Sequence, residues 1–333
     1  MRLLQRPPHR RKSNCISAMK IGLDVMGGDY APQNIVLGAI DAFHRLGRDS
    51  EIYLLGDQIK ITEICRQQGF DPGNFSIVHC SQTIKMDEHP VKAYQKKSDS
   101  SVVVGFNMLA KGQLDALASA GNTGVMLTGS VQTLRTLPGV IRPCISCEMP
   151  MVSGKNVLLL DVGFNTDCKP DYLYQFGILG SIYAREMMGI ERPRVALLNI
   201  GEEEEKGNMV VKEAYKLMVD SIDFNFVGNI EANRLFAGDI ADVLVTDGFV
   251  GNICLKQAEG MYDLIQRLDV RNEFLDRFNY EIYGGTPVLG VSAPVIIGHG
   301  ASSPVAISNM IAQAERALNN KLIEKFKEAM SYE

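Results

Sequence analysis

Glycine-rich polar segments follow apolar runs repeatedly in this 333-residue sequence. The first, Asp24-Val25-Met26-Gly27-Gly28-Asp29, comes at the end of the run Ile21 to Val25. Glycines permit a tight turn and close approach of the backbone to a ligand, and exposed amide N–H groups bind anions. The segment is neither G-x-G-x-x-G nor a P-loop. It predicts either a ligand-binding turn or a purely structural one.

Five further segments repeat this arrangement. In an open α/β sheet, ligands bind outside the carboxyl ends of the strands. If the preceding strands are parallel, we therefore expect all these loops to form one shared site. The segments are Ser119 to Gly124, Asp161 to Asn165, Asn199 to Glu202, Asp247 to Asn252 and His299 to Ser303.

The loops offer hydroxyl, amide and carboxylate groups but no familiar nucleophile. G-x-S-x-G is absent, and the five histidines lack metal-ligand spacing, so we predict no covalent serine mechanism, no metal and no cofactor. Groups of this kind suit the binding of an oxyanion. They include the carboxylates of Asp24, Asp161 and Asp247, the amides of Asn122, Asn165 and Asn252, and the hydroxyl of Thr123.

Cations for a phosphate are available upstream of one apolar helix, Val102 to Leu109. Lys92 and Ser98 precede it, and a helix N-terminus with such neighbours suits an anion. The alternative is that the lysine is solvated and a serine only caps the helix. His299, after the last apolar run, is placed either to protonate a leaving group or to bond neighbouring backbone.

Strands alternate with helices along the chain. This order predicts a three-layer α/β/α sandwich with a mostly parallel sheet. Strands are expected near 20–25, 51–55, 75–80, 114–119, 156–161, 194–199, 224–228, 243–247 and 294–298, and the clearest helices at 32–47, 98–111, 170–188, 208–221, 250–267 and 304–329.

Composition indicates a globular α/β protein, with 46% hydrophobic and 22% charged residues. We expect one domain over 19–333, because no linker divides it. Residues 1–18 form a predicted disordered basic extension. Without its five cations the net charge of −5 becomes −10, and an acidic body argues against nucleic acid as a partner.

The apolar runs are too short to span a bilayer. Seven cysteines without a signal sequence indicate a cytoplasmic protein.

Read in order, the motifs resemble the bacterial phosphate acyltransferase (PlsX) family of phospholipid synthesis, from Met19 to about Met330. They are D-x-M-G-G-D at 24–29, S-A-G-N-T-G at 119–124, I-R-P at 141–143, L-L-N-I-G-E-E at 197–203, K-G at 206–207, G-N-I-E at 228–231, D-G-F-x-G-N at 247–252, Y-G-G-x-P-x-L-G at 283–290 and H-G at 299–300.

The resemblance implies the isocitrate and isopropylmalate dehydrogenase-like fold group, which also contains phosphotransacetylase. It implies a cytoplasmic homodimer that moves a long acyl chain from acyl carrier protein to inorganic phosphate. The acyl phosphate would then serve a membrane glycerol-3-phosphate acyltransferase, with peripheral membrane contact by this protein.

Inorganic phosphate is anionic at neutral pH, so it attacks a thioester without a protein nucleophile. On this interpretation His299 is the general acid and Asn252 acts at the reaction centre. The predicted phosphate ligands are Lys92, Ser98, Asn122 and Thr123, and the predicted substrate pocket contains Asp24, Gly27, Gly28, Asp161, Asn165 and Asp247.

Two departures from the family pattern stand out. Only Ile253 to Ile282 separates D-G-F-x-G-N from Y-G-G, a shorter segment than the family commonly has, which puts membrane docking by that segment in question. Phe164 replaces the usual alanine, and it either narrows the pocket or fills a gap.

Alternative functions are a short-chain phosphotransacetylase using acyl-CoA and a non-catalytic membrane-associated adaptor. A hydride-transfer enzyme is disfavoured because the dinucleotide fingerprint is missing.

Overall fold

The computed structural model describes residues 18–46, 50–238 and 240–330, so the predicted extension lies outside the described residues except for Ala18. Strands within them form one 11-stranded sheet in the order β3-β2-β1-β4-β11-β10-β5-β6-β9-β7-β8. The strands are β1 (Met19–Asp24), β2 (Ser50–Gly56), β3 (Ser76–His79), β4 (Ala116–Ser119), β5 (Cys144–Pro150), β6 (Asn156–Leu160), β7 (Arg194–Asn199), β8 (Asn225–Glu231), β9 (Val243–Val245), β10 (Thr286–Leu289) and β11 (Val295–Ile297).

Several helices start at a residue whose side chain caps them. Asp247 accepts a hydrogen bond from Val250 N, and Ser303 accepts one from Ala306 N. The helices are α1 (Gln33–Arg45), α2 (Gln58–Gln67), α3 (Pro90–Lys96), α4 (Ser101–Ala110), α5 (Thr123–Gly129), α6 (Pro170–Met188), α7 (Met209–Val219), α8 (Gly248–Arg267), α9 (Glu273–Asp276), α10 (Pro304–Asn319) and α11 (Leu322–Met330).

Most predicted elements are confirmed, with three differences. The helix expected over 304–329 is two helices, because Lys321 has a φ of 52° and breaks the helical path. Strands β5 and β10 were not predicted. Each contains a proline, which is unfavourable inside a sheet.

Successive residues of each strand point to opposite faces of the sheet. On one face a single core extends along the sheet and includes Leu117 and Leu159, with α4, α5 and α8 packed over it. On the other face Ala118 packs beneath α1 and α10, and Leu160 packs beneath α6. The predicted three-layer α/β/α sandwich with a mostly parallel sheet is confirmed.

The sheet contains two groups of parallel strands that run in opposite directions. Strands β1 to β4 and β11 form one group, and β6 to β9 form the other. Three antiparallel pairings, through β10 and β5, reverse the direction between them. The prediction that all the glycine-bearing loops gather at one carboxyl edge is therefore wrong, since the loops form two clusters.

The two clusters nevertheless lie close together near the middle of the sheet. Leu160, the last residue of β6, pairs with Ser146. The neighbouring Ile145 pairs with Val288, which pairs in turn with Val295, the first residue of the three-residue strand β11. The carboxyl ends of β6 and β11 are thus at similar heights, with β5 and β10 between them.

Candidate active site

A cavity of about 210 Å³ lies between the two loop clusters. Thr123 and His299 line it from the first cluster, and Val162 and Asn252 from the second. The rest of the wall is largely apolar, and its charged residues lie on only two elements, β5 and α8. The apolar wall includes Ile145, Met149, Leu255, Ala258, Phe278 and Ile297, and the charged residues are Glu148, Lys256 and Glu259.

Asp24 organises the first cluster from beneath the cavity. Its carboxylate is buried and accepts hydrogen bonds from Ser101 Oγ at 2.5 Å, Ser119 Oγ at 2.7 Å and Met26 N at 3.1 Å. Burial raises the pKa of Asp24, and these bonds oppose that rise. Asp24 does not line the cavity, so it holds the turn in place.

The glycine pair is required by close contacts. A Cβ on Gly27 would lie 2.5 Å from Asp24 Oδ2 and 2.8 Å from Gly121 N, which leaves no room for a side chain. Gly28 has a φ of 115°, which side chains disfavour. Asp29 N donates to Gly300 O at 2.8 Å. The turn thereby ties β1 to the loops after β4 and β11.

Asn122 has a structural role that sequence reasoning missed. Its Oδ1 accepts from Val125 N at 3.2 Å and caps α5. Its Nδ2 donates to Met86 O at 2.9 Å and to Glu88 O at 3.1 Å. An amide has two N–H donors, and both are used. In this structure the side chain therefore has no free N–H group for a ligand, and phosphate binding by Asn122 stays a prediction.

Asp161 organises the second cluster and is also buried. Its carboxylate accepts from four backbone N–H groups, at 2.6 to 3.2 Å, and from Asn165 Nδ2 at 2.8 Å. Burial raises the pKa of Asp161, and the hydrogen bonds from Ile145 N, Phe164 N and the two donors of Asn165 oppose that rise. Asn165 Nδ2 also donates to Pro143 O at 2.8 Å, so both predicted pocket residues act within the loop.

Helix α8 packs directly on this loop. Asp247 caps it through Val250 N at 2.8 Å, and a Cβ on Gly251 would overlap the carbonyl oxygen of Asp161. Asn252 Nδ2 donates to Val162 O at 3.0 Å. One N–H of Asn252 remains for a ligand, because the amide has two. Asn252 lines the cavity as a donor.

His299 is exposed on the cavity wall, and its ring is held by a hydrogen bond and by an aromatic contact. Ala301 N donates to its Nδ1 at 3.2 Å, and the ring centroid lies 4.9 Å from that of Tyr280. Because Nδ1 is the acceptor, the proton of the neutral ring is on Nε2. His299 is therefore built to donate a hydrogen bond from Nε2.

Lys92 and Ser98 are exposed, and neither lines the cavity. Lys92 lies in α3, which packs against α5 beside Thr123. Lys97, which precedes Ser98, points elsewhere: its Nζ donates to Glu88 Oε1 at 2.6 Å and to Thr83 O at 2.7 Å. Phosphate binding by Lys92 and Ser98 stays a prediction.

Cys147 is the thiol that lines the cavity. Burial, reinforced by Glu148, raises the pKa of this thiol to about 12, so it is protonated at neutral pH. A thiol in that state is a poor nucleophile. The structure therefore gives no support to covalent catalysis by Cys147.

Sequence reasoning missed two cavity residues on α8. Lys256 and Glu259 follow Asn252 at positions i+4 and i+7, and all three line the cavity. This spacing repeats on one face of a helix. Because the helix over 250–267 was predicted, helical spacing counted from Asn252 was enough to find them.

The fold is that of the phosphotransacetylases. A phosphotransacetylase from Streptococcus pyogenes superposes with a TM-score of 0.63 at 18% sequence identity, covering 90% of this chain and 94% of its own. This likeness confirms the fold group that the sequence resemblance implied.

The chain matches the family described as "Fatty acid synthesis protein" over residues 19–325. A phosphate acyltransferase from Dictyoglomus turgidum is 38% identical over 332 residues, which cover 94% of this chain and 98% of the relative. One from Caldanaerobacter subterraneus subsp. tengcongensis is 40% identical over 329 residues, covering 93% and 97%. The chain therefore belongs to the phosphate acyltransferase family of fatty acid synthesis proteins and is an acyltransferase.

Proposed function

We propose that the chain transfers a long fatty acyl group from acyl carrier protein to inorganic phosphate. The observation that carries this proposal is the cavity itself. Its wall is largely apolar, as an acyl chain requires, and it also includes the donors of Thr123, Asn252 and His299. A purely polar phosphate site would have no use for that apolar wall.

The reaction needs no covalent enzyme intermediate. A phosphate oxygen attacks the thioester carbonyl carbon, and the new C–O bond gives a tetrahedral oxyanion. When that oxyanion collapses, the C–S bond breaks and acyl phosphate forms, and the leaving thiolate of the carrier protein takes the proton that the attacking hydrogen phosphate loses. Asn252 N–H and His299 Nε2–H are the candidate donors to the oxyanion, and Thr123 is the candidate ligand of phosphate.

The proposal extends to partners that the family suggests. Acyl carrier protein is the donor, and the acyl phosphate is passed to a membrane glycerol-3-phosphate acyltransferase. The protein itself acts as a homodimer in the cytoplasm with peripheral membrane contact. Within the described residues, no helix is long and apolar enough to cross a bilayer.

The test is an assay of purified protein with palmitoyl acyl carrier protein, in which acyl phosphate is trapped as hydroxamate. We expect product only when inorganic phosphate is present. Release of carrier protein at the same rate without phosphate would identify a hydrolase instead, and no turnover at all would favour a non-catalytic adaptor.

A parallel assay with acetyl-CoA separates the long-chain enzyme from a short-chain phosphotransacetylase, whose fold is the same. We expect kcat/KM to be at least about a hundredfold higher with the palmitoyl donor, because each buried methylene contributes about 0.8 kcal/mol. Preference for acetyl-CoA would contradict the acyl-chain assignment.

A further inference from the structure

Among the residues that the structure describes, Lys256 is the one cationic side chain that lines the cavity. It is four residues after Asn252 on α8, so the two side chains lie on the same helix face, one turn apart. Both therefore face the space in which the thioester and phosphate must meet. An anionic substrate in a largely apolar cavity requires a cation of this kind.

Lys256 is paired with an acid that also lines the cavity. Lys256 Nζ lies 2.6 Å from Glu259 Oε2, and the two side chains are 54% and 27% exposed. An ion pair this exposed contributes little to stability. A carboxylate on the wall of a phosphate site also repels the substrate unless a cation neutralises it. A role of the Lys256–Glu259 pair in ligand binding therefore explains its position better than a role in stabilising the fold.

We propose that Lys256 binds the attacking inorganic phosphate and that Glu259 holds the ammonium group in place while the cavity is empty. This inference rests on the proposed function. Lysine binds phosphate as a point charge with three donors, so it can turn from Glu259 to a phosphate oxygen without breaking a fixed geometry.

A phosphate group could also reach Lys256 as part of the phosphopantetheine arm of the donor. The position one turn from Asn252 favours the inorganic anion, because Asn252 is the candidate donor at the reacting carbonyl. The two sources are distinguished by which KM changes.

The experiment compares Lys256→Ala, Lys256→Arg and Glu259→Gln with the wild-type protein in the palmitoyl-transfer assay. Lys325→Ala is the matched control, since Lys325 forms the same Lys-x-x-Glu pair with Glu328 on α11. For Lys256→Ala we expect the phosphate KM to rise about tenfold or more, as for loss of a charge-assisted hydrogen bond, with the KM of the donor unchanged. Lys256→Arg should restore much of the phosphate affinity that Lys256→Ala loses, and Glu259→Gln should lower the phosphate KM or leave it unchanged.

Two results would overturn the inference. If Glu259→Gln raises the phosphate KM as much as Lys256→Ala does, the ion pair matters only for structure. If Lys256→Ala raises the KM of the acyl donor instead, the lysine binds the phosphopantetheine arm.

A binding measurement keeps this test separate from the proposed function. Inorganic phosphate alone should raise the Tm of the wild-type and Lys325→Ala proteins and should raise that of Lys256→Ala much less. Equal stabilisation of all three proteins would contradict the role of Lys256. Stabilisation without any acyl transfer would contradict the proposed reaction instead and leave the phosphate site intact.

Discussion

The turns that follow β1 and β6 begin with the same residue type and are held in different ways. Asp24 ends β1 and Asp161 follows β6, and each is a buried aspartate followed by valine and then by glycine within four residues. Asp161 accepts five N–H donors, of which four are backbone groups. Asp24 accepts two side-chain hydroxyl groups, from α4 and β4, and fewer backbone donors.

This difference decides what each turn tolerates. An N–H group can only donate, so the five N–H groups around Asp161 favour its ionised carboxylate. A hydroxyl group donates or accepts, so the surroundings of Asp24 accommodate a neutral group as well. The second turn is therefore a rigid support for α8 and Asn252, whereas the first depends on side chains supplied by separate elements.

The largest effect is expected from Gly251→Ala, at the contact between α8 and the Asp161 turn. The new Cβ would overlap the carbonyl oxygen of Asp161, and backbone cannot move as a side chain does. We expect the free energy of unfolding to fall by more than about 4 kcal/mol, beyond ordinary overpacking. Urea unfolding followed by circular dichroism measures this.

Gly28→Ala is the counterpart in the first turn. Its Cβ would lie 3.2 Å from Gly300 O at a φ of 115°, so the loss should be smaller, about 1–3 kcal/mol. Equal losses for the two variants would mean that the turns are equally rigid, contrary to the comparison.

The next effect comes from Asp161→Asn and Asp24→Asn. An asparagine at 161 turns an NH2 group towards N–H donors and leaves buried donors unpaired, so we expect a loss of about 3 kcal/mol. At Asp24 the hydroxyl groups reorient, and we expect a loss of about 1 kcal/mol. Thermal unfolding of the two variants side by side tests this order, and a larger loss at Asp24 would reverse it.

Much of this arrangement was predictable from sequence. The loops, strands and helices came from apolar periodicity and glycines, which are local properties. The reversal of direction was not predictable, because it depends on β5 and β10, whose proline-containing segments have little strand character. Only tertiary pairing makes them strands.

The same limit applies to the site. Asn252 lines the cavity from the start of α8 and His299 from the loop after β11, and both belong to glycine-bearing segments that the sequence singles out. The use of both Asn122 donors was hidden, because Met86 and Glu88 approach from 34 to 36 residues away in sequence. Ser101 was missed for a similar reason, since its bond to Asp24 spans 77 residues.

A smaller, pH-dependent effect is expected from Ser101→Ala. The Ser101 bond lowers the pKa of Asp24, which burial raises, so the variant should raise that pKa further. Between the unfolded and folded pKa values the folded state binds more protons, so stability falls as the pH rises. We therefore expect the variant to lose about 1–2 kcal/mol near pH 7 and clearly less near pH 4, where Asp24 is closer to its protonated form.

Urea unfolding at a series of pH values measures this slope. The matched variant is Ser100→Ala, because Ser100 Oγ bonds only the nearby Lys97 O and should give a loss that does not depend on pH. A constant loss for Ser101→Ala would mean that its hydroxyl does not stabilise the Asp24 carboxylate.

The smallest effect on catalysis is expected from Phe164→Ala, in the turn that backbone groups hold. Phe164 packs against the large core and does not line the cavity, so it fills a gap and does not narrow the pocket. Its amide N–H, which bonds Asp161 Oδ1 at 3.1 Å, is kept by alanine. We therefore expect kcat/KM for palmitoyl transfer to stay within about twofold of wild type, which corresponds to less than about 0.5 kcal/mol in the activation barrier. The Tm should fall, because apolar packing is lost. A gain of activity with longer acyl donors would show instead that the ring limits the pocket, and the Asp161 turn would then shape the substrate as well as support α8.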